Sequence, residues 1–478
     1  MNKKMILFIV GQIMKAEGGL MILPMLVGYY YKEYHVNTSF GIPILVLLSV
    51  GFILTFKKPK NNAVFAKEGF VSVALAWIVM SIFGAMPFYI SGDIPSVADC
   101  IFETVSGFTT TGATICTHVE DMTKSCLFWI SFTHWIGGMG VLVFVLAILS
   151  NNDSRTMHMM RAECPGPKVG KLVSKSTYTA RILYAMYFVL TVIEIILLLC
   201  GGMPLFDSLI NAFGTAGTGG FASHSESIAF YHSTYVDMVI GIFMLLFGMN
   251  FNVFYYLLVR KFALAFKNEE LRVYLGIAAF STIAIAANIY KMYGSVASSL
   301  RFSFFQVSSI MTSTGFATAD FTKWPTFSQT LLLTLMLVGA CAGSTGGGVK
   351  VYRAIILFKS GIKEIRYVMN PRSVITVKMD GKPVEPEVTK GVMSYTAICI
   401  FIMIISLLAL TFDQYSIEET ASAVITCINN IGPGIGRLGP CGSFAGFTDI
   451  SKYILSLDML IGRLEIYPVA LLFTIFKR

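Results

Sequence analysis

Charge is scarce in this chain. Only 13% of its 478 residues are Asp, Glu, Lys or Arg and 55% are hydrophobic, whereas soluble domains carry about 25% charged residues. Cysteine occurs nine times, an odd number, and never as a CxxC pair. That pattern excludes a disulfide framework and a thiolate metal site, and leaves small core residues. The six histidines show no ligand spacing. Within the apolar segments there is no His pair, Ser/His/Asp group or metal-ligand cluster, so a membrane enzyme is not expected. A leader is not expected either: Met1-Asn2-Lys3-Lys4 opens an apolar stretch, but no small-residue cleavage site follows and apolar sequence resumes at Leu20. The first segment is read as a retained span.

What the chain has in excess is apolar sequence in runs that reach across a bilayer, which takes about 20 helical residues. An all-α integral membrane protein with ten spans is expected, at 5–29, 39–57, 69–91, 125–150, 181–201, 235–258, 271–292, 328–358, 391–412 and 450–475. The few charges are unevenly placed. The loop 150–181 holds Arg155, Arg161, Lys168, Lys171, Lys175 and Arg181 against Asp153 and Glu163, and the loop 350–390 holds nine bases, among them Arg353, Lys359, Lys363, Arg366 and Arg372. With ten spans, Lys57, Lys58, Lys60, Lys67, Arg260, Lys261, Lys267, Lys477 and Arg478 fall on that same face, which the positive-inside rule makes cytoplasmic together with both termini. In a chain this apolar the basic loops set topology, and no nucleic-acid partner is expected. The opposite face carries Asp93, Asp99, Glu120, Asp121, Asp207, Glu226, Asp320, Asp413, Glu418 and Glu419.

One arrangement recurs four times: a long span, a short amphipathic segment, a glycine hinge, and another long span. The hinges are TTTGAT (Thr109 to Thr114), GTGGFAS (Gly217 to Ser223), TSTGFAT (Thr312 to Thr318) and NNIGPGIG (Asn429 to Gly436). Aligning Gly112, Gly220, Gly315 and Gly432 gives separations of 108, 95 and 117 residues. Repeat boundaries follow: two extra N-terminal helices in 1–66, then repeats at 67–155, 156–265, 266–360 and 361–478. The segments before the hinges, 97–107, 204–214, 296–309 and 417–428, are too short to span and read as re-entrant half-helices; Ser96-x-x-Asp99 and Ser416-x-x-Glu419 are capping-box patterns. Non-helical backbone at membrane depth leaves carbonyls unpaired unless it lines a polar path. Four such hinges point to a common partner, and carbonyl oxygens replace the hydration shell of a cation. The expected ion ligands are the backbone carbonyls of Thr111, Gly112, Gly219, Gly220, Thr314, Gly315, Ile431 and Gly432. For one hinge alone, helix termination or close packing would be the better explanation.

Three other features stand out. Span 328–358 is interrupted by AGSTGGGVK (Ala342 to Lys350), where Gly346, Gly347 and Gly348 make a continuous helix improbable; a flexible stretch of Gly343, Ser344, Thr345, Gly346, Gly347 and Gly348 lining a cavity is expected, with Lys350 snorkelling at the interface. Arg463 lies in the middle of the last span, where a cation either projects toward the path as a barrier or pairs with Asp458 or Glu465. Glu194, midway along 181–201, is expected to be structural. Two nucleotide-site patterns are decoys: GIGRLG (Gly434 to Gly439) has no βαβ unit around it, and GSTGGGVK has Val349 between Gly348 and Lys350.

FETVSGFTTTGAT, GTGGFASH, SSIMTSTGFAT, INNIGPGIGRLGP, GACAGSTGGGVK and IGRLEIYPV together resemble the TrkH/KtrB superfamily of bacterial potassium transporters, its TrkH branch most of all, over essentially the whole chain. The resemblance implies four helix-pore helix-helix repeats around a pseudo-fourfold pore, plus two N-terminal transmembrane helices. It implies K+ as the transported ion with no other cofactor, the Gly343–Gly348 stretch and Arg463 as an intramembrane gate, a homodimer in the bacterial inner membrane, and a cytosolic, nucleotide-binding TrkA-type regulatory subunit. Sodium-passing relatives carry serine at the first hinge glycine, so Gly112 implies a potassium preference. A proton-coupled secondary transporter of another small solute is the alternative; it predicts two inverted halves and an ionisable substrate site, against four parallel repeats with uncharged hinges.

Overall fold

A computed structural model describes residues 2–59, 65–140, 176–372 and 375–472. Most of the basic loop 150–181, the end of span 125–150, Cys164, Lys60, Lys477 and Arg478 lie outside the described residues. Helix dominates, as it must where lipid offers no hydrogen-bond partners. Six helices among the described residues are long and apolar enough to cross a membrane, or seven if one bent pair counts as a span. The first two, Lys3–Tyr30 and Val36–Thr55, lie tightly together because Gly11 and Gly51 face each other: a Cβ on Gly51 would sit 2.9 Å from the Gly11 carbonyl oxygen.

The four short segments form helices at Val97–Thr109, Leu205–Gly217, Val296–Met311 and Ile417–Ile428. Side chains cap the first and fourth of these, and only the fourth forms the full capping box the sequence suggests. Ser416 and Glu419 make the reciprocal box; Ser96 accepts from the Asp99 amide at 3.4 Å, while the Asp99 carboxylate goes to Lys452, 2.5 Å away. Each short helix packs against the helix that follows the previous hinge: Leu205–Gly217 on Lys124–Gly138, Val296–Met311 on Thr234–Phe247, and Ile417–Ile428 on Thr326–Val338. The first, Val97–Thr109, packs on Asp449–Leu464, which follows the fourth hinge. The order therefore closes on itself.

Two expected spans are broken where the sequence reading made them continuous. Span 235–258 becomes Thr234–Phe247 and Phe251–Leu258, bent by 94°. Asn250 caps the second piece, its side chain accepting from the Asn252 amide at 3.0 Å. The carbonyls freed at Phe247 and Gly248 accept from the backbone of Thr345 and Cys341, and the Phe251 amide donates to the Gly343 carbonyl at 3.1 Å. The break costs little because another loop supplies the missing bonds. The final span also breaks, at Glu465 with φ +63°, into Asp449–Leu464 and Ile466–Leu472. Span 328–358 is interrupted as expected, with helices Thr326–Val338 and Val351–Met369 on either side of the glycine-rich loop. Between Val351–Met369 and the next long helix, Pro386–Leu410, lies a two-stranded hairpin pairing Lys378–Met379 with Lys382–Pro383.

Candidate functional site: a ring of hinges and the loop beside it

All four short helices end in the same way. Thr110, Thr218, Ser313 and Asn430 adopt left-handed φ of +57°, +55°, +57° and +53°. The next amide in each case, from Thr111, Gly219, Thr314 and Ile431, donates to the carbonyl five residues back at 2.8 to 2.9 Å. This is a Schellman closure, and it turns the chain out of the helix. One residue further on, Gly112, Gly220, Gly315 and Gly432 all have positive φ, +74°, +68°, +90° and +93°. They are glycines for a second reason too. A Cβ on Gly112 would collide with the carbonyl oxygen of Gly219, one on Gly220 with that of Thr314, one on Gly315 with that of Ile431, and one on Gly432 with that of Thr111. Each hinge is thus pressed against the next, and the fourth against the first. The eight residues named from the sequence come together in one closed ring.

The ring is cross-braced from behind. Glu103 is buried and accepts from the Thr114 hydroxyl at 3.1 Å and the Ile115 amide at 3.0 Å, holding the chain as it leaves the first hinge. At the same place, nine residues before the hinge glycine, Gln306 donates to the Ala319 carbonyl at 3.1 Å and Asn211 to the Tyr231 hydroxyl at 3.3 Å. The fourth helix has Ala423 there, and Ser422 takes over by accepting from the Ile435 amide at 3.1 Å. Hinges one and three each carry a hydroxyl pair, Thr109 with Thr111 at 2.8 Å and Thr312 with Thr314 at 2.7 Å. Asn430 ties hinge four to hinge one through the Thr111 hydroxyl at 2.9 Å. At hinge two Gly219 has no side chain, and the buried His134 ring fills that space, its Nδ1 where a Cβ would be.

The glycine-rich loop lies directly against this ring. A Cβ on Gly347 would overlap the Asn429 carbonyl oxygen, and one on Gly346 would sit 2.8 Å from that of Thr312. The Gly347 amide donates to the Ser313 hydroxyl at 2.5 Å. Arg463 bridges the loop to the first repeat: it donates to the Thr345 carbonyl at 2.7 Å and to the carbonyls of Gly137 and Gly138 at 2.5 and 2.7 Å. The two acids considered as its partners are engaged elsewhere, Asp458 accepting from Ser406 at 2.8 Å and Glu465 paired with Arg353. Lys350 does not snorkel. It is buried at 5% exposure and folds back to donate to the Gly346 carbonyl, at a backbone φ of +78°.

Two cavities adjoin this assembly, one at the ring and one at the loop. A small one of about 70 Å³ is lined by all four hinge glycines. A larger one of about 580 Å³ is lined by Gly343, Ser344, Gly346, Gly347, Gly348 and Arg463, together with Asn250, Glu270 and the hairpin. The loop lines the larger cavity and packs on the ring whose glycines line the smaller. Among the described residues no three His, Cys, Asp or Glu side chains gather as a metal site. Glu194 is fully buried beside Thr215 and lines neither cavity.

A family model described as a cation transport protein, TrkH, matches residues 37–477. The chain belongs to the TrkH family. It is 33% identical over 482 residues to the Trk system potassium uptake protein TrkH of Salmonella typhimurium, covering 99% of both chains. It is 34% identical to the Trk system potassium uptake protein TrkG of Escherichia coli, covering 95% of this chain and 94% of the other. Its structure matches the crystal structure of the potassium transporter TrkH from Vibrio parahaemolyticus with a TM-score of 0.89 at 30% identity, over the whole of both chains. As a member of this family the chain is a multi-pass membrane transport protein and not an enzyme.

The sequence reading of this TrkH-family chain named the hinges, the loop and Arg463, which the structure brings together, and missed their supports. Glu103, His134, Asn250, Ser313, Asn430 and Glu270 each look ordinary in isolation. A signal did exist for Glu103: it recurs with the polar residues Asn211 and Gln306 at one offset from the aligned glycines. Several acids of the expected outer face also prove to be loop ties. Asp93 accepts from Thr123, Asp413 from Thr448, and Glu419 from the Arg437 amide.

Proposed function

We propose that this chain carries K+ into the cell, through the ring of hinge carbonyls acting as a selectivity filter. The observation that carries this reading is the closure of the ring: four positive-φ glycines, each packed on the carbonyl of the residue before the next one. In that geometry successive carbonyls face a common axis, and the ring is too tightly packed to widen or narrow independently at one hinge. Oxygens held in this way can substitute for the water around a dehydrated monovalent cation. The four short helices point their C-terminal ends at the ring, adding partial negative charge where the ion would sit. Thr111, Gly112, Gly219, Gly220, Thr314, Gly315, Ile431 and Gly432 are the proposed ligands, and the four repeats surround one pseudo-fourfold path with the two N-terminal helices outside it.

The Gly343–Gly348 loop with Arg463 is the proposed gate. It lines the larger cavity and packs on the ring, and Arg463 places a permanent cation at the loop, where it opposes the passage of another cation. The basic residues Lys267, Arg353 and Lys382 on the larger cavity support a cytoplasmic position for it. Trk-system relatives are named as parts of a system, which supports a regulatory partner on that face. Our reading is a homodimer in the bacterial inner membrane, controlled by a cytosolic TrkA-type nucleotide-binding subunit. Flux of K+ from purified protein in liposomes, with and without an imposed proton gradient, tests the central claim. Uptake that follows the K+ gradient alone is expected; uptake only when protons flow with it would favour a coupled transporter instead.

A further inference from the structure

The glycine-rich loop leaves one helix at Val338 and enters the next at Val351. Its two ends meet at a single atom. Glu270 Oε1 accepts from the Ala342 amide at 2.6 Å and from the Tyr352 amide at 3.2 Å. These amides are ten residues apart in sequence, and the stretch between them contains every loop residue that touches the ring or Arg463. Glu270 is 3% exposed and lines the larger cavity. An acid in the first turn of a helix ordinarily serves its own amides; this one serves another segment's.

Its neighbour faces the other way. Glu269 Oε1 pairs with Lys359, its Oε2 accepts from the Asp380 amide at 3.2 Å, and the Glu269 amide donates to the Asp380 carboxylate at 2.7 Å. Lys359 also donates to the Lys378 carbonyl at 2.7 Å. The hairpin is therefore fastened to Glu269 and the loop to Glu270, one residue apart at the start of the same helix, Glu269–Tyr293. A carboxylate accepting backbone amides is among the stronger single tethers in a protein, and it is made or lost as a unit.

We propose that Glu270 is the clasp that keeps the loop across the path, and that the 378–383 hairpin is the handle that releases it. Movement of the hairpin away from the Glu269 cluster loosens the helix start and withdraws the adjacent carboxylate from both loop ends together. Glu270 is a positioning residue: it touches the loop and never the ion. The proposal rests on the reading of Gly343–Gly348 as the gate.

The test is K+ flux into liposomes by Glu270→Ala, Glu270→Gln, Lys359→Met and Arg463→Ala, each checked for wild-type elution and thermal melting. Glu270→Ala is expected to raise flux about tenfold, the loss of two charge-assisted bonds that favour the closed arrangement. Glu270→Gln retains an accepting oxygen and should fall well below Glu270→Ala, a rescue that a mere packing role would not give. Lys359→Met, which loosens the handle without touching the core, should raise flux about threefold. If Arg463→Ala speeds flux and Glu270→Ala does not, the clasp is wrong and the gate stands. If neither variant changes flux, the gate reading itself fails. Should Glu270→Ala not fold, Lys359→Met decides alone, since unchanged flux there removes the handle and raised flux supports it.

Discussion

The ring and the loop are both built from glycine-rich backbone, yet they are held by different means. In the ring, glycine backbone lies on carbonyl backbone, all the way around. Nothing in such a contact can rotate away, and a change at one hinge must displace its neighbour. The loop also packs closely and shares backbone bonds with Phe247, Gly248 and Phe251, but four side chains hold it as well: Ser313, Lys350, Glu270 and Arg463. A side-chain tether can swing to a new partner at the cost of a rotamer. The first construction suits a structure that must keep its dimensions; the second suits one with two positions. On the proposed reading, filter and gate differ less in composition than in what holds them.

The comparison predicts opposite signs for substitutions in the two regions. Gly220→Ala puts a methyl group into the Thr314 carbonyl oxygen at a positive φ, so K+ uptake should fall by about 100-fold or more with the protein still in the membrane. Complementation of a potassium-uptake-deficient strain, with membrane protein quantified in parallel, measures this. Arg463→Ala removes a cation and the bridge from the loop carbonyl of Thr345 to those of Gly137 and Gly138, and should raise uptake by about tenfold. A loss of uptake in folded Arg463→Ala, or near-normal uptake in Gly220→Ala, would erase the distinction between the regions.

Gly112→Ser sharpens it further. The serine side chain would be driven against the Gly219 carbonyl, and the first two hinges must separate to accept it. A wider, less regular set of oxygens discriminates less between ions of different size, so the K+ over Na+ uptake ratio should fall several-fold while total cation flux survives. Competition of Na+ with K+ uptake in vesicles gives the ratio. An unchanged ratio would mean that selectivity does not reside at the first hinge.

How much of this was legible in the residues follows the same division. Ring closure depends on backbone, and backbone needs are visible as glycine at fixed places; Gly112, Gly220, Gly315 and Gly432 could be aligned by eye, and the short helices before them were placed within a few residues. Supports made by long-range side chains were not legible. Glu270 sits beside Glu269 after Asn268, a pattern indistinguishable from a helix start that serves only itself. The break at Phe247 to Phe251 was invisible for a related reason: its unpaired carbonyls are satisfied by Thr345 and Cys341, about 100 residues away in sequence, and no local signal marks a helix that another segment repairs. Arg463 was identified as unusual, but its partners are carbonyls of Gly137, Gly138 and Thr345, which carry no side-chain signature.

The smallest expected effect lies on the outer face, where acids with free charge would gather cations. Glu120 instead ties the loops of repeats one and two: it accepts from the Ser225 amide at 2.7 Å and hydroxyl at 2.5 Å, and His224 lies 3.7 Å away. Burial opposes its charge, but the Ser225 bonds outweigh that and hold the carboxyl down at about 2. A carboxyl depressed in the folded state stabilises at pH values above its unfolded pKa, and that contribution is lost only as pH falls toward the folded value. Between pH 7.5 and 5.5 Glu120 therefore stays ionised and contributes no pH dependence to uptake. Glu120→Gln keeps oxygen for Ser225 and removes a charge that is already half in solvent, where salt screens it, so uptake should change by less than about twofold. A larger loss at low ionic strength that disappears in high salt would restore Glu120 to a cation-gathering role, and would make the mouth an electrostatic device where the ring beneath it is a steric one.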